Sequence, residues 1–186
     1  MGVEFEVIPS NFNEKLDDAR TPQEVAEELA LGKALAVAEQ YPDAIVIGSD
    51  TVVAIEGRQL EKPRDTQDAK NLLILLSGKV NEAITGLAVV CKADDVQLTG
   101  SDAVKVKFKP YDESAIDAYI ATGDSMDKAG AYGIQSGAAP LIEAMDGNYD
   151  TIIGLPTHLL AEWLQALGIA CRPLELHRPV KQLSVK

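Results

Sequence analysis

The stretch IVIGSDTVVAIEG, residues 45–57, opens as an apolar run and then presents a carboxylate, Asp50, where that run stops. Ala44 to Gly48 is continuous and apolar, as strands buried in an α/β sheet are. Val52 to Ile55 predicts a short second strand that turns at Glu56-Gly57 and leads to LEKP, residues 60–63. In open α/β sheets ligands gather beyond the carboxyl ends of strands, and this reading places Asp50 at such an end. An isolated Asp after a strand is ordinarily a turn former or cap, so its neighbours decide its meaning. Thr51 supplies a hydroxyl beside it, and Lys62 follows a hairpin that can fold back over the same strand ends.

Working outward, alternation over residues 3–8 (VEFEVI) predicts a half-buried strand, broken by Pro9 and Asn11, with Glu14 in the loop that follows. Thr21-Pro22-Gln23-Glu24 reads as a helix start: Thr21 caps, Pro22 takes the first helical position and Glu24 closes a capping box. Val25, Leu29, Gly32 and Ala36 define the buried stripe of that helix, with Lys33 at its edge. Asp65 or Thr66 caps a second helix whose Leu72, Leu73, Leu75 and Leu76 face inward and which ends at Ser77-Gly78. Two longer strands, Ala83 to Cys91 and Val96 to Phe108, precede a helix capped by Asp112. The segment GDSMDKAGAYGIQSG, residues 123–137, is too polar for core and too particular for a linker. Leu141 to Met145 predicts a strand, and Pro156 opens an amphipathic helix carrying Trp163. These elements make one two-lobed domain over residues 1–170 and a tail over 171–186.

With 186 residues, 46% of them hydrophobic, the chain can bury one good core. No apolar run reaches the ~18 to 20 residues of a membrane-spanning helix, and the start lacks a secretory signal, so the expected compartment is the cytoplasm. Cys91 and Cys171 stand in no metal-binding spacing and fit a reducing compartment. A net charge of −12 argues against nucleic acid and anionic membranes as partners. An anionic ligand must therefore be held locally. Lys33, Lys62 and Lys128 each stand beside small or rigid residues, as a polyphosphate pocket requires, although singly each reads as a solvated surface lysine. Glu14, Asp50 and Asp127 could hold a Mg²⁺, which is usually bound through one or two carboxylates plus substrate phosphates. His158 and His177 are the only histidines, and Gly-x-Ser-x-Gly, Walker A and Gly-x-Gly-x-x-Gly turns are all missing from the sequence. The residues by themselves support a Mg²⁺-dependent site for a phosphorylated small molecule, against an α/β binding domain without chemistry.

GSDTVV, EKP, LSGK followed by Thr85-Gly86, DKAGAYGIQ and MDGNYDTIIGLP occur here in the order and spacing of the Maf family of nucleoside triphosphate pyrophosphatases, which the chain resembles from about residue 3 to residue 168. The resemblance implies an α/β fold with a bent mixed β-sheet and flanking helices around a deep cleft. It implies cleavage of a nucleoside triphosphate to the monophosphate and pyrophosphate, with Asp50 as catalytic base. Glu14, Lys33 and Lys62 match the family's acid after the first strand, its helix lysine and the lysine of its Lys-Pro pair. Thr51 and Gln135 resemble the subgroup acting on dTTP and UTP, with modified pyrimidine nucleotides as further substrates. Mg²⁺, with Mn²⁺ or Co²⁺ as alternatives, and a homodimer are implied in the same way.

Family members carry a strand, a Ser-x-Ser-Pro-Arg-Arg loop and a helix ahead of the segment matched by VEFEVI, and this sequence starts at that later point. The expectation is a sheet without that strand and an activity weakened by the loss of two phosphate-gripping arginines, about 1.5 to 3 kcal/mol each. Asn81 and Ser136 also replace a common histidine and glycine. The competing expectation is a non-catalytic nucleotide-binding protein or a regulator of cell division.

Overall fold

The computed structural model describes residues 2–13 and 20–171. Among these residues five strands, β1 (Val46–Ile55), β2 (Arg58–Leu60), β3 (Val80–Cys91), β4 (Val96–Phe108) and β5 (Ile142–Asp146), form one sheet in the order β2-β1-β3-β4-β5. Among the described residues five α-helices accompany them: α1 (Pro22–Ala38), α2 (Thr66–Leu76), α3 (Glu113–Ile120), α4 (Tyr149–Ile152) and α5 (Thr157–Ala166). The α/β class agrees with the sequence reading, but every pairing among the described strands is antiparallel where a mixed sheet was expected.

Local signals set the helix starts. Thr21 and Glu24 exchange both bonds of the capping box, with Pro22 at the first helical position. Asp65, and not Thr66, caps α2, accepting from the Asp68 amide, and Asp112 caps α3 by accepting from the Ala115 amide. Within α2, Leu73 and Leu76 are fully buried whereas Leu72 and Leu75 only flank the core. Helix α4 is a single turn that no periodicity announces.

The buried side of α1 is made of Ala26, Ala30, Ala34 and Ala38, with Val25, Leu29 and Val37 beside them, while Ala36 is half-buried. The reason lies in the sheet. Gly48 of β1 and Gly86 of β3 face α1 so closely that a Cβ would stand 2.3 Å from the Ala30 carbonyl oxygen and 2.0 Å from that of Ala26. Backbone thus lies almost on backbone, and only small residues fit on both sides. On the other face Leu73, Leu76, Val104, Val106 and Phe108 form the largest core cluster, while Trp163 and Leu160 of α5 close a second one over Leu87 and Val89.

Two expectations are corrected. Residues 3–8 are not a strand: they join no ladder, and Phe5 and Val7 are 83% and 79% exposed. Alternation supplies a face, but a strand also needs a partner edge, which this segment does not have. The 45–57 stretch is one continuous strand and not two. β1 pairs with β3 from Val46↔Val90 through Asp50↔Gly86 to Ala54↔Glu82, so Asp50 lies mid-strand. Its polar interruption, Ser49-Asp50-Thr51, falls where the outer edge of β1 is uncovered, because β2 pairs with β1 only from Val53 to Ile55.

Candidate active site

Successive side chains of a strand point to opposite faces, so Asp50 and Thr51 should serve different surfaces. They line the same cleft, of about 750 Å³, because it wraps around the uncovered edge of β1. Lys33 of α1, Lys62 after β2, and Asp127, Lys128 and Gln135 of the 123–137 segment line it too. All the predicted site residues therefore meet in one place except Glu14, which lies outside the described residues.

On the α1 side the Lys33 ammonium donates to Asp50 Oδ1, and both side chains are shielded, 23% and 18% exposed. This pair is placed by the close helix-to-sheet contact at Gly48 and Gly86. Lys62 is carried by the chain leaving β2, which is tied to the facing wall by the Gly130 amide donating to the Glu61 carbonyl at 3.1 Å.

The opposite wall holds a further cation, Lys128. Lys128 Nζ lies 2.7 Å from Asp127 Oδ1 and 3.0 Å from Asp124 Oδ1. Asp127 is 80% exposed and Asp124 only 12%, so Asp124 is the inner partner that fixes the lysine. The Tyr119 hydroxyl of α3 donates to Asp124 Oδ2 at 2.7 Å and accepts from the Gly133 amide at 3.0 Å, pinning both ends of the loop to a helix. Burial opposes the charge on Asp124, but hydrogen bonds from Ser136, Tyr119 and Lys128 outweigh it and hold the carboxyl below its ordinary range. Asp127, hydrogen-bonded by Lys128, is also lowered, and the Lys128 ammonium is raised chiefly by its bond to Asp127. Burial, followed by the Asp124 carboxylate, raises the Tyr119 phenol. Gly133 makes room for the lysine: a Cβ there would stand 2.4 Å from Lys128 Cε. Ala131, fully buried, sits in the left-handed region at φ 61°, a cost of roughly 1–3 kcal/mol that the surrounding contacts must outweigh.

Below this loop Tyr132 donates to Asn81 Oδ1 at 2.8 Å, and Asn81 donates to the Val106 carbonyl. Asn81, at a position where the family resemblance leads one to expect histidine, is thus a buried and satisfied amide. The sequence pattern does not mark Asp124, Tyr119 or Asn81 as site residues. Asp124 had a local signal, since it precedes Lys128 by four residues in GDSMDK, a spacing that brings charges together. Tyr119 had none, because its partners are reached only through the fold.

Chemically, the cleft offers ammonium donors on both walls to anionic oxygens and a shielded carboxylate in its lining. Among the described residues no three His, Cys, Asp or Glu side chains stand together as a protein metal cage. His158 is elsewhere, 3.6 Å from Asp102.

The chain is 43% identical over 169 residues to the dTTP/UTP pyrophosphatase of Dictyoglomus thermophilum, covering 90% of this chain and 88% of that protein. It is 41% identical over 168 residues to the proteins of the same name from Symbiobacterium thermophilum and Bacillus cereus, covering 90% of this chain and 86% and 87% of theirs. With a Maf-like protein model matching residues 1–167, and the family's motifs gathered on one cleft, the chain belongs to the Maf family.

Proposed function

We propose that this protein hydrolyses dTTP and UTP to the nucleoside monophosphate and pyrophosphate. The observation that carries the reading is that Lys33, Lys62 and Lys128, from three distant segments, converge with Asp50 on a single cleft. Its volume of about 750 Å³ falls within the roughly 300–1,000 Å³ of small-molecule sites. The names of its relatives, dTTP/UTP pyrophosphatases over nine-tenths of this chain, supply the substrate class.

In this reaction a water oxygen bonds to the α-phosphorus while the bond from that phosphorus to the α,β-bridging oxygen breaks, and pyrophosphate leaves with the bonding pair. Catalysis of this kind is mostly positioning and charge stabilisation. Asp50 orients the water and receives its proton. Lys33, Lys62 and Lys128 donate to phosphate oxygens, Lys33 exchanging part of its bond with Asp50 for one to the ligand. Gln135 presents both a donor and an acceptor to the edge of the pyrimidine. Asp50 and Asp127 are hard oxygen donors suited to Mg²⁺, which is usually bound through one or two carboxylates with substrate phosphates and water as its other ligands. When bound, it would neutralise charge on the phosphates. A cytoplasmic setting is supported by the two unpaired thiols, Cys91 and Cys171, and a homodimer by the family resemblance.

The test is pyrophosphate release from dTTP and UTP with Mg²⁺. Asp50→Asn should lower kcat by about 10²- to 10⁴-fold, the usual span for a general base, with binding of a non-hydrolysable UTP analogue retained. Nucleotide binding with a rate that Asp50→Asn leaves unchanged would make the protein a nucleotide-binding one without this chemistry.

A further inference from the structure

Thr51 and Thr85 stand directly opposite each other on β1 and β3, with their hydroxyl oxygens 2.8 Å apart. Geometry at that contact leaves open which one donates. Thr85 settles the question, because its hydroxyl also lies 2.6 Å from the Thr151 carbonyl oxygen, which can only accept. A threonine has a single hydroxyl proton. That proton is committed to Thr151, so the bond between the two threonines must carry the proton of Thr51.

Neither partner is free to change this. Thr85 and Thr151 are fully buried. The Thr151 carbonyl accepts from the Gly154 amide as well, at 3.0 Å, which fills its two lone pairs. The Thr151 hydroxyl in turn donates to Asp102 Oδ2 at 2.5 Å, fixing the residue from its far side. Of the three threonines only Thr51 lines the cleft, and Gly154 lies beside its hydroxyl there, since a Cβ added on Gly154 would be in ordinary van der Waals contact with Thr51 Oγ1 at 3.7 Å.

We infer that Thr85 is a positioning residue that turns the Thr51 proton away from the cleft, so that Thr51 presents lone pairs alone and selects a hydrogen-bond donor on the nucleoside. This rests on the proposed action on pyrimidine triphosphates. A triphosphate chain at neutral pH offers mainly acceptors, so Thr51 does not grip phosphate. The donors that dTTP and UTP share are the imide N–H of the base and the 3′-hydroxyl of the sugar. Thr51 would thereby reject a base or sugar that turns an acceptor toward it.

The test compares UTP, N3-methyl-UTP and 3′-deoxy-UTP, by kcat/KM and by calorimetric binding of their α,β-imido analogues. The wild-type protein should lose about tenfold, the size of one hydrogen bond, on the analogue lacking the donor that meets Thr51. Loss with the N3-methyl compound assigns the base, and loss with the 3′-deoxy compound the sugar. In Thr85→Val the Thr51 proton has no acceptor and can turn outward, so Thr51 can donate as well as accept and the discrimination should shrink. Thr85→Ser, which restores the hydroxyl, should restore it. A purely steric effect of the methyl group would survive Thr85→Val unchanged, and that result overturns the inference. Should Thr85→Val fail to fold, Thr51→Val must abolish the discrimination by itself, and its persistence there is equally fatal. Wild-type protein that turns over UTP but treats both analogues like it overturns this inference alone, whereas protein that neither binds nor cleaves UTP and dTTP removes the pyrimidine reading with it.

Discussion

The two walls of the cleft build the same thing, a lysine held against a carboxylate, by different physics. Lys33 and Asp50 are set by packing: α1 lies on the sheet with backbone almost touching backbone at Gly48 and Gly86. Lys128 and Asp124 are set by polar bonds inside a glycine-rich loop, with the Tyr119 hydroxyl as the link to the rest of the fold. A packed wall transmits any change in shape to the whole core, because interiors are dense and yield little. A hydrogen-bonded loop absorbs a change locally and loses only the geometry of its own charges. The same substitution, glycine to alanine, should therefore fail differently on the two sides.

On the packed side, the Cβ of Gly86→Ala would stand 2.0 Å from the Ala26 carbonyl oxygen and 2.3 Å from its carbonyl carbon. Backbone cannot swing away as a side chain can, so α1 must move off the sheet. The expected cost is about 3 kcal/mol, the upper end for overpacked cores, or a fall in Tm of about 6–12 °C for a chain of this size. Activity should fall with it, since Lys33 rides on α1. A thermal melt within about 2 °C of wild type would show that the helix is not held by this contact.

On the loop side, the Cβ of Gly133→Ala would meet Lys128 Cε at 2.4 Å and Ser136 Oγ at 2.6 Å, both at the ends of side chains. Lys128 should swing aside at little cost in stability, with Tm shifted by no more than about 2–4 °C. Its ammonium would then be misplaced for phosphate, so KM for UTP should rise about tenfold, as for one charge-assisted hydrogen bond. If Gly133→Ala destabilises the protein as much as Gly86→Ala, the loop is part of the packed core and the contrast between the walls fails.

The same division explains what the sequence discloses. Capping boxes, helix starts and the alternating face of β4 are written in neighbouring residues, and they are found where the pattern places them. The position of Asp50 is different. Its polar surroundings look like the end of a strand because apolar runs report burial, and burial stops where β2 leaves the edge of β1 uncovered, although the ladder to β3 continues. Residues 3–8 show the converse, a strand-like alternation without an edge to pair with. At the site, the lysines and Asp50 are legible through the family motifs, but the groups that hold them are not. Tyr119, Asn81 and Thr85 act through partners 5 to 66 residues away, and in a single sequence such residues look like ordinary core.

The smallest effect separates the walls by their response to acid. Asp124 has a folded pKa below its ordinary 3.8, so its bonds to Tyr119, Ser136 and Lys128 stabilise the loop fully above that value and are lost as pH falls through the lower folded value. Lys128 has the opposite sign: its raised pKa keeps its contribution complete below 10.5 and loses it only as pH rises beyond. Between about pH 4 and 10 the loop should be insensitive to pH on both counts. Asp124→Asn removes the acid-side term, at a cost of about 1 kcal/mol at neutral pH, the size of one hydrogen bond in folding. Urea unfolding midpoints of wild type and Asp124→Asn should differ at pH 7 and converge as pH falls below 3.8, because a protonated aspartate donates and accepts much as asparagine does. The gap between wild type and Gly86→Ala is steric and has no proton in it, so it should stay constant over the same range. A constant gap for Asp124→Asn would mean that its bonds do not depend on its charge, and that the loop, like the helix, is held by shape.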